Sequence, residues 1–137
     1  MDDDFCILLV DDFSTMRRVI RRMLRDQGIE NVLEAENGKQ AWKILTGRTV
    51  HLVICDWNMP SMKGVDLLEK VRSDPYMSNL PFVMVTAEGK KNFVEQALEM
   101  GATGYVTKPF SSEELFSVLS SILPEGSWYT ENEAGRA

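Results

Sequence analysis

Five short apolar runs, at residues 5–10, 32–35, 51–55, 82–85 and 104–107, each have the length of one β-strand, and helix-period stretches separate them. This alternation narrows the fold more than any other feature. In one stretch Met16, Val19, Ile20, Met23 and Leu24 recur at three- and four-residue spacing, and in the last Leu115, Val118, Leu119 and Ile122 do the same. The first and fourth runs are apolar at successive positions, as needed when helices cover both faces of a sheet. Right-handed crossovers between parallel strands then predict an α/β fold: an open, doubly wound, five-stranded parallel sheet with five helices. Gly28 and Gly101 stand where helices end, Ser14 is expected to cap the first helix, and Ser111 with Glu114 reads as a capping box for the last.

Size and charge remove several function classes. The chain has 137 residues, 44% of them apolar, which suits one domain that buries its own core without disulfides or a structural metal. Residues 1–123 are expected to form that domain and residues 124–137, polar and Gly-containing after Pro124, a tail. No apolar run reaches the roughly 18 residues of a membrane span, and Met1-Asp2-Asp3-Asp4 is acidic where a signal peptide is basic, so a cytoplasmic protein with no membrane partner is expected. A net charge of −6 argues against nucleic acid as the main partner, because phosphate contacts need a basic patch. Cys6 and Cys55 lie inside apolar runs and read as reduced, buried thiols, too few and wrongly spaced for zinc.

In a sheet of this kind ligands bind outside the carboxyl ends of the strands. The residues there are polar: Asp11-Asp12 after the first run, Asp56 after the third, Thr86 after the fourth, and Lys108-Pro109 after the fifth. The topology would bring three carboxylates, a hydroxyl and an ammonium together. Carboxylates so close repel unless a cation is bound or one is protonated, and oxygen-only ligands suit Mg²⁺, with Mn²⁺ as a substitute. Carboxylates, a divalent metal, a lysine and a hydroxyl are together the groups that neutralise a transferring phosphoryl group. Asp56, on the central strand, is the candidate nucleophile for an aspartyl phosphate.

These residues carry a resemblance. Val10-Asp11-Asp12, Asp56, Met59-Pro60, Thr86-Ala87, Gly101-Ala102 and Lys108-Pro109-Phe110 resemble the receiver domain of two-component response regulators. More narrowly, residues 11–18, 56–60 and 84–88 are similar to the CheY-like chemotaxis receivers, and the likeness runs over about residues 5–123. The resemblance implies a flavodoxin-like strand order 2-1-3-4-5, phosphoryl transfer to Asp56 from a histidine kinase, and a chain that catalyses its own phosphorylation and dephosphorylation without being an ordinary enzyme. Asp12, Asp56 and the backbone carbonyl of Asn58 would bind Mg²⁺, with Asp11 acting through water. Lys108 would pair with the phosphoryl oxygens, its bond to Pro109 being cis. Thr86 and Tyr105 would form the switch, and Asn58 and Glu88 would tune hydrolysis. The output would be a partner met through the fourth helix, fifth strand and fifth helix, with Lys91, Val94, Tyr105 and Phe110 on that surface. The implied partner is the flagellar motor switch, besides a phosphatase, for a monomeric, single-domain protein.

Several residues have plainer readings. Asp11-Asp12 alone suits a helix-capping turn, Thr86 a strand end, Lys108 a surface lysine and Tyr105 a strand-edge aromatic. Arg17, Arg18, Arg21, Arg22 and Arg25 read as a solvated basic face, and Met16, Met23 and Met100 as core. Trp57, Met59 and Met62 are expected to be partly exposed, and His51 to be a satisfied or exposed histidine and not a phosphodonor. Chemotaxis relatives carry alanine at Gly89 and lysine at Val118. The alternative of the same chemistry is a phosphate sink or shuttle. A phosphatase would want Asp-x-Asp and an inserted cap, and a nucleotide or flavin binder would want a Gly-rich loop where Phe13-Ser14-Thr15 stands.

Overall fold

Every one of the five apolar runs becomes a strand and every helix-period stretch a helix. The computed structural model of the chain describes residues 5–59, 62–87 and 91–123, without the side chains of Lys91 and Phe93. The order is β1 (Ile7–Val10), α1 (Ser14–Asp26), β2 (Val32–Ala35), α2 (Gly38–Gly47), β3 (Leu52–Asp56), α3 (Gly64–Ser73), β4 (Phe82–Ala87), α4 (Lys91–Glu99), β5 (Gly104–Lys108) and α5 (Ser112–Ile122). All strands pair in parallel in the order β2-β1-β3-β4-β5, the expected flavodoxin-like arrangement.

Alternate strand residues feed two cores, one on each face. Ile7, Leu9, Leu52, Ile54, Val83, Val85 and Val106 meet Ile20 and Leu24 of α1 and Leu115, Phe116 and Leu119 of α5. Leu8, Val10, Val53, Cys55, Phe82 and Met84 meet α2, α3 and α4 through Ala41, Leu45, Leu67, Leu68, Val71 and Ala97. Each fully buried Leu, Ile, Val or Phe contributes about 1.5–3 kcal/mol, so both faces hold the sheet rigid. Cys6 and Cys55 are buried free thiols. Of the two readings of His51 the satisfied one holds, its Nδ1 accepting from the Cys6 N–H at 3.0 Å while its ring stacks on Phe5. No helix among the described residues is long and apolar enough to cross a membrane.

Several ends differ from the pattern of apolar residues. Asp56, Thr86 and Lys108 lie inside their strands, because the ladder bonds peptide groups and continues whatever the side chain. Ser14 is the first residue of α1 and not its cap; Phe13 holds that place, and the Asp11 carboxylate has already turned the chain by accepting from the Phe13 N–H at 2.9 Å. Gly28 and Gly101 do end their helices, with φ of 88° and 101°. The capping box at α5 is present: Ser111 Oγ accepts from the Glu114 N–H at 3.1 Å and Glu114 Oε1 accepts from the Ser111 N–H at 3.2 Å. Trp57 and Met59 are buried, Trp57 at 5% exposure, because both pack into the core beneath α3; Met62 is half-buried.

Candidate functional site

Parallel register carries dispersed residues to one edge. Val10 pairs with Cys55, Asp56 with Val85, Thr86 with Thr107 and Ala87 with Lys108. Asp11, Asp12, Asp56, Thr86 and Lys108 therefore gather at the carboxyl ends of β1, β3, β4 and β5.

The distances are short. Ligand oxygens of Asp11, Asp12 and Asp56 all lie within 4.8 Å of one another. Lys108 Nζ stands 3.2 Å from Asp56 Oδ1 and 3.7 Å from Asp11 Oδ2. Asp11, Asp56 and Thr86 are buried, Asp12 half-buried. Burial pushes the Asp56 carboxyl above the usual carboxylate range and the charge of Asp11 pushes it further, against the pull of Lys108. Burial likewise raises Asp11, opposed by the Phe13 N–H bond and by Lys108. Asp12 Oδ1 and Thr86 Oγ1 are buried with no hydrogen-bond partner among the described residues.

Three like charges this close call for a counter-charge, and their donors are hard oxygens. The buried, unpartnered Asp12 oxygen fits the same demand. The triad can thus hold a hard divalent cation, with one ammonium and one hydroxyl beside it.

Similarity to known proteins identifies the family to which the chain belongs. Residues 7–120 match the model of the response regulator receiver domain. The chain belongs to that family. It is 46% identical over 116 residues to the chemotaxis protein CheY of Pseudomonas aeruginosa, covering 85% of this chain and 94% of the relative. It is 44% identical over 116 residues to the chemotaxis protein CheY-3 of Vibrio cholerae, covering 85% of this chain and 89% of that protein. Among solved structures the chemotaxis response regulator CheY4 of Vibrio cholerae superposes with a TM-score of 0.80 at 29% identity, over 87% of this chain and 98% of that one.

The other residues that the sequence led us to expect at the site spread outward. Asn58 is exposed two residues past Asp56, and the Lys108-Pro109 bond is cis. Glu88, Pro60, Gly89 and the tail 124–137 lie outside the described residues, as does the side chain of Lys91. Of the residues expected on a partner surface whose side chains are described, Tyr105 is exposed at 40%, Val94 is buried and Phe110 half-buried against the core. A groove of about 800 Å³ does lie between α4, β5 and α5, and Tyr105 lines it with Leu98, Gly104, Val118 and Ile122. Gly104 leaves that space to Val118, whose Cγ1 would stand 2.9 Å from a Cβ there.

Two features were not foreseen. Arg17 departs from the solvated face: Glu34, brought beside α1 by β1–β2 pairing, binds both Arg17 and the still partly exposed Arg21, and Arg17 also donates to the Asp11 carbonyl oxygen. Gly64 packs so tightly that a Cβ there would lie 2.4 Å from the Asp56 carbonyl oxygen. The acid opposite the arginines was visible in the sequence, but only the strand order reveals that they meet.

Proposed function

We propose that this receiver accepts a phosphoryl group on Asp56 from a histidine kinase and signals by binding a partner in the phosphorylated state. The observation that supports it most is Lys108 at 3.2 Å from Asp56, with Asp11 and Asp12 beside them. An Asp56 carboxylate oxygen attacks phosphorus; the O–P bond forms as the P–N bond of the phosphohistidine breaks, and the imidazole leaves. Lys108 pairs with the equatorial oxygens as charge moves onto them. Mg²⁺, or Mn²⁺ in its place, would be held by Asp12, Asp56 and the Asn58 carbonyl, with Asp11 behind them, and would supply Lewis-acid neutralisation of the phosphoryl charge. Water attack on phosphorus then releases phosphate and restores Asp56, its approach governed by Asn58 and Glu88. Thr86 would turn its unpartnered hydroxyl to the phosphoryl group, and Tyr105 would follow inward, changing the groove.

The proposed unit is residues 1–123, with 124–137 as a tail, in a monomeric cytoplasmic protein. The names of the relatives, chemotaxis proteins, support the flagellar motor switch as the partner at the α4–β5–α5 face. Val118, uncharged where chemotaxis relatives carry lysine, favours a second reading in which the domain is a phosphate sink or shuttle. Incubation with a small acyl phosphate and Mg²⁺, followed by intact mass, tests the shared chemistry: one phosphoryl adduct is expected, absent with chelator and absent in Asp56→Asn. An unmodified wild type, or an adduct that survives Asp56→Asn, would sink it. Binding of the labelled protein to the motor switch protein separates the two outputs.

A further inference from the structure

The arginines of α1 are of two kinds. Arg18, Arg22 and Arg25 are exposed, whereas the Arg17 side chain keeps 15% of its surface and makes two directed bonds. Its Nε donates to Glu34 Oε1 at 2.8 Å and its Nη1 donates to the Asp11 carbonyl oxygen at 2.6 Å. Arg21 Nη1 donates to the other oxygen of Glu34 at 2.5 Å. Both oxygens of the glutamate are engaged, and although burial works against its charge, the two arginines hold its carboxyl below the usual range. Glu34 is therefore a firm anchor on β2 for a guanidinium reaching from α1.

The carbonyl that Arg17 grips belongs to the peptide joining Asp11 to Asp12. That unit is planar, so holding its oxygen also orients the nitrogen and Cα of Asp12. Asp11 has other restraints: its N–H donates to the Ala35 carbonyl at 3.1 Å and its carboxylate accepts from Phe13. Asp12 Oδ1 has no such bond among the described residues, so the placement of its Cα by this peptide is the restraint that bears on it. We propose that Arg17, clamped by Glu34, is a positioning residue that orients the Asp11–Asp12 peptide and so sets the metal affinity of the three carboxylates. This rests on the reading above that the triad holds Mg²⁺.

The planar fork matters: one guanidinium bonds a carboxylate and a carbonyl in fixed directions, which a lysine ammonium does not reproduce. Calorimetric titration with Mg²⁺ alone, no phosphodonor present, tests the role in wild type, Arg17→Lys, Glu34→Gln, Asp12→Asn and the exposed control Arg25→Lys. Arg17→Lys and Glu34→Gln are expected to weaken binding about 10-fold, the scale of lost outer-sphere partners. Arg25→Lys should match wild type. Labelling by acyl phosphate should then need more Mg²⁺ for half-maximal rate in Arg17→Lys, with the rate at saturating Mg²⁺ recovered. A purely structural role would instead lower the melting temperature in chelator and leave Mg²⁺ affinity unchanged, and that result overturns the inference. Should Arg17→Lys fail to fold, Glu34→Gln carries the same expectation with both arginines retained. If wild type takes up no Mg²⁺, or Asp12→Asn binds as wild type does, the metal reading itself fails and this inference falls with it; loss in Asp12→Asn with wild-type binding in Arg17→Lys and Glu34→Gln sinks the positioning role alone.

Discussion

The ammonium of Lys108 stands 3.2 Å from Asp56 Oδ1 at the ends of two strands that do not touch each other, β4 lying between them. Its charge opposes those of both buried carboxylates, Asp56 and Asp11. Lys108→Ala is expected to cost about 1 kcal/mol of stability in chelator, a modest figure because the ammonium is partly exposed. Labelling of Asp56 should slow by roughly 10²-fold or more, the loss typical of one donor to developing oxyanion charge. Denaturant melts and mass-resolved time courses check the two numbers; equal rates would remove Lys108 from the proposed mechanism.

Asp56 and Asp11 carry a pH signature. Burial raises both folded-state values above the unfolded ones, so the native state binds protons more readily than the unfolded chain. That preference is fully present at pH below the unfolded carboxylate value, about 4, and is lost as pH rises through the raised folded values. At pH 7 without metal, both charges therefore cost stability, and Asp56→Asn should melt several degrees higher than wild type. The gap should shrink as pH falls toward about 4 and shrink again when Mg²⁺ is added to wild type at pH 7. Asp56→Asn melting below wild type at pH 7 in chelator would contradict the sign.

Gly64 and Gly47 give a paired test of packing. A Cβ at Gly64 would meet the Asp56 carbonyl oxygen at 2.4 Å, Met84 Cε at 2.8 Å and Trp57 Cα at 3.1 Å, two of them backbone atoms that carry the site. Gly64→Ala should therefore cost about 2 kcal/mol and slow labelling by moving Asp56. Nothing lies within 4 Å of a Cβ at Gly47, at the end of α2, so Gly47→Ala should be neutral or stabilising by about 0.5 kcal/mol. Urea midpoints decide both, and equal costs at the two glycines would show that the close approach at Gly64 does not constrain the strand end.

How far the sequence could be read follows from which forces are local. Strands showed as continuous apolar runs because helices cover both faces, and the gathering of Asp11, Asp56, Thr86 and Lys108 followed once parallel order was assumed. Helix ends at Gly28 and Gly101 were legible because positive φ favours glycine. Ser14 misled because a carboxylate three residues earlier had already taken the turn. The Arg17–Glu34 pair was hidden for a different reason: Glu34 sits opposite Leu9 in the β1–β2 register, and no periodicity within α1 registers a partner on another strand. Trp57 looked half-exposed beside an acid, yet it follows a buried strand into the core under α3.

Thr86 offers a prediction in which stability and signalling move in opposite directions. Its Oγ1 is buried with no hydrogen-bond partner among the described residues, at a strand end that is otherwise well packed. A buried hydroxyl without a partner costs about 1–3 kcal/mol relative to its solvated state, and valine keeps the branched shape without the polar atom. Thr86→Val should therefore raise the denaturant midpoint, by about 1 kcal/mol at unchanged slope, in the unphosphorylated protein. The same change removes the group proposed to meet the phosphoryl oxygens. Labelled Thr86→Val should then bind the output partner no better than unlabelled wild type, even though Asp56 still takes up its phosphoryl group. A loss of stability would mean that the hydroxyl has a partner in solution, and a fully active switch would mean that the signal leaves the site by another route.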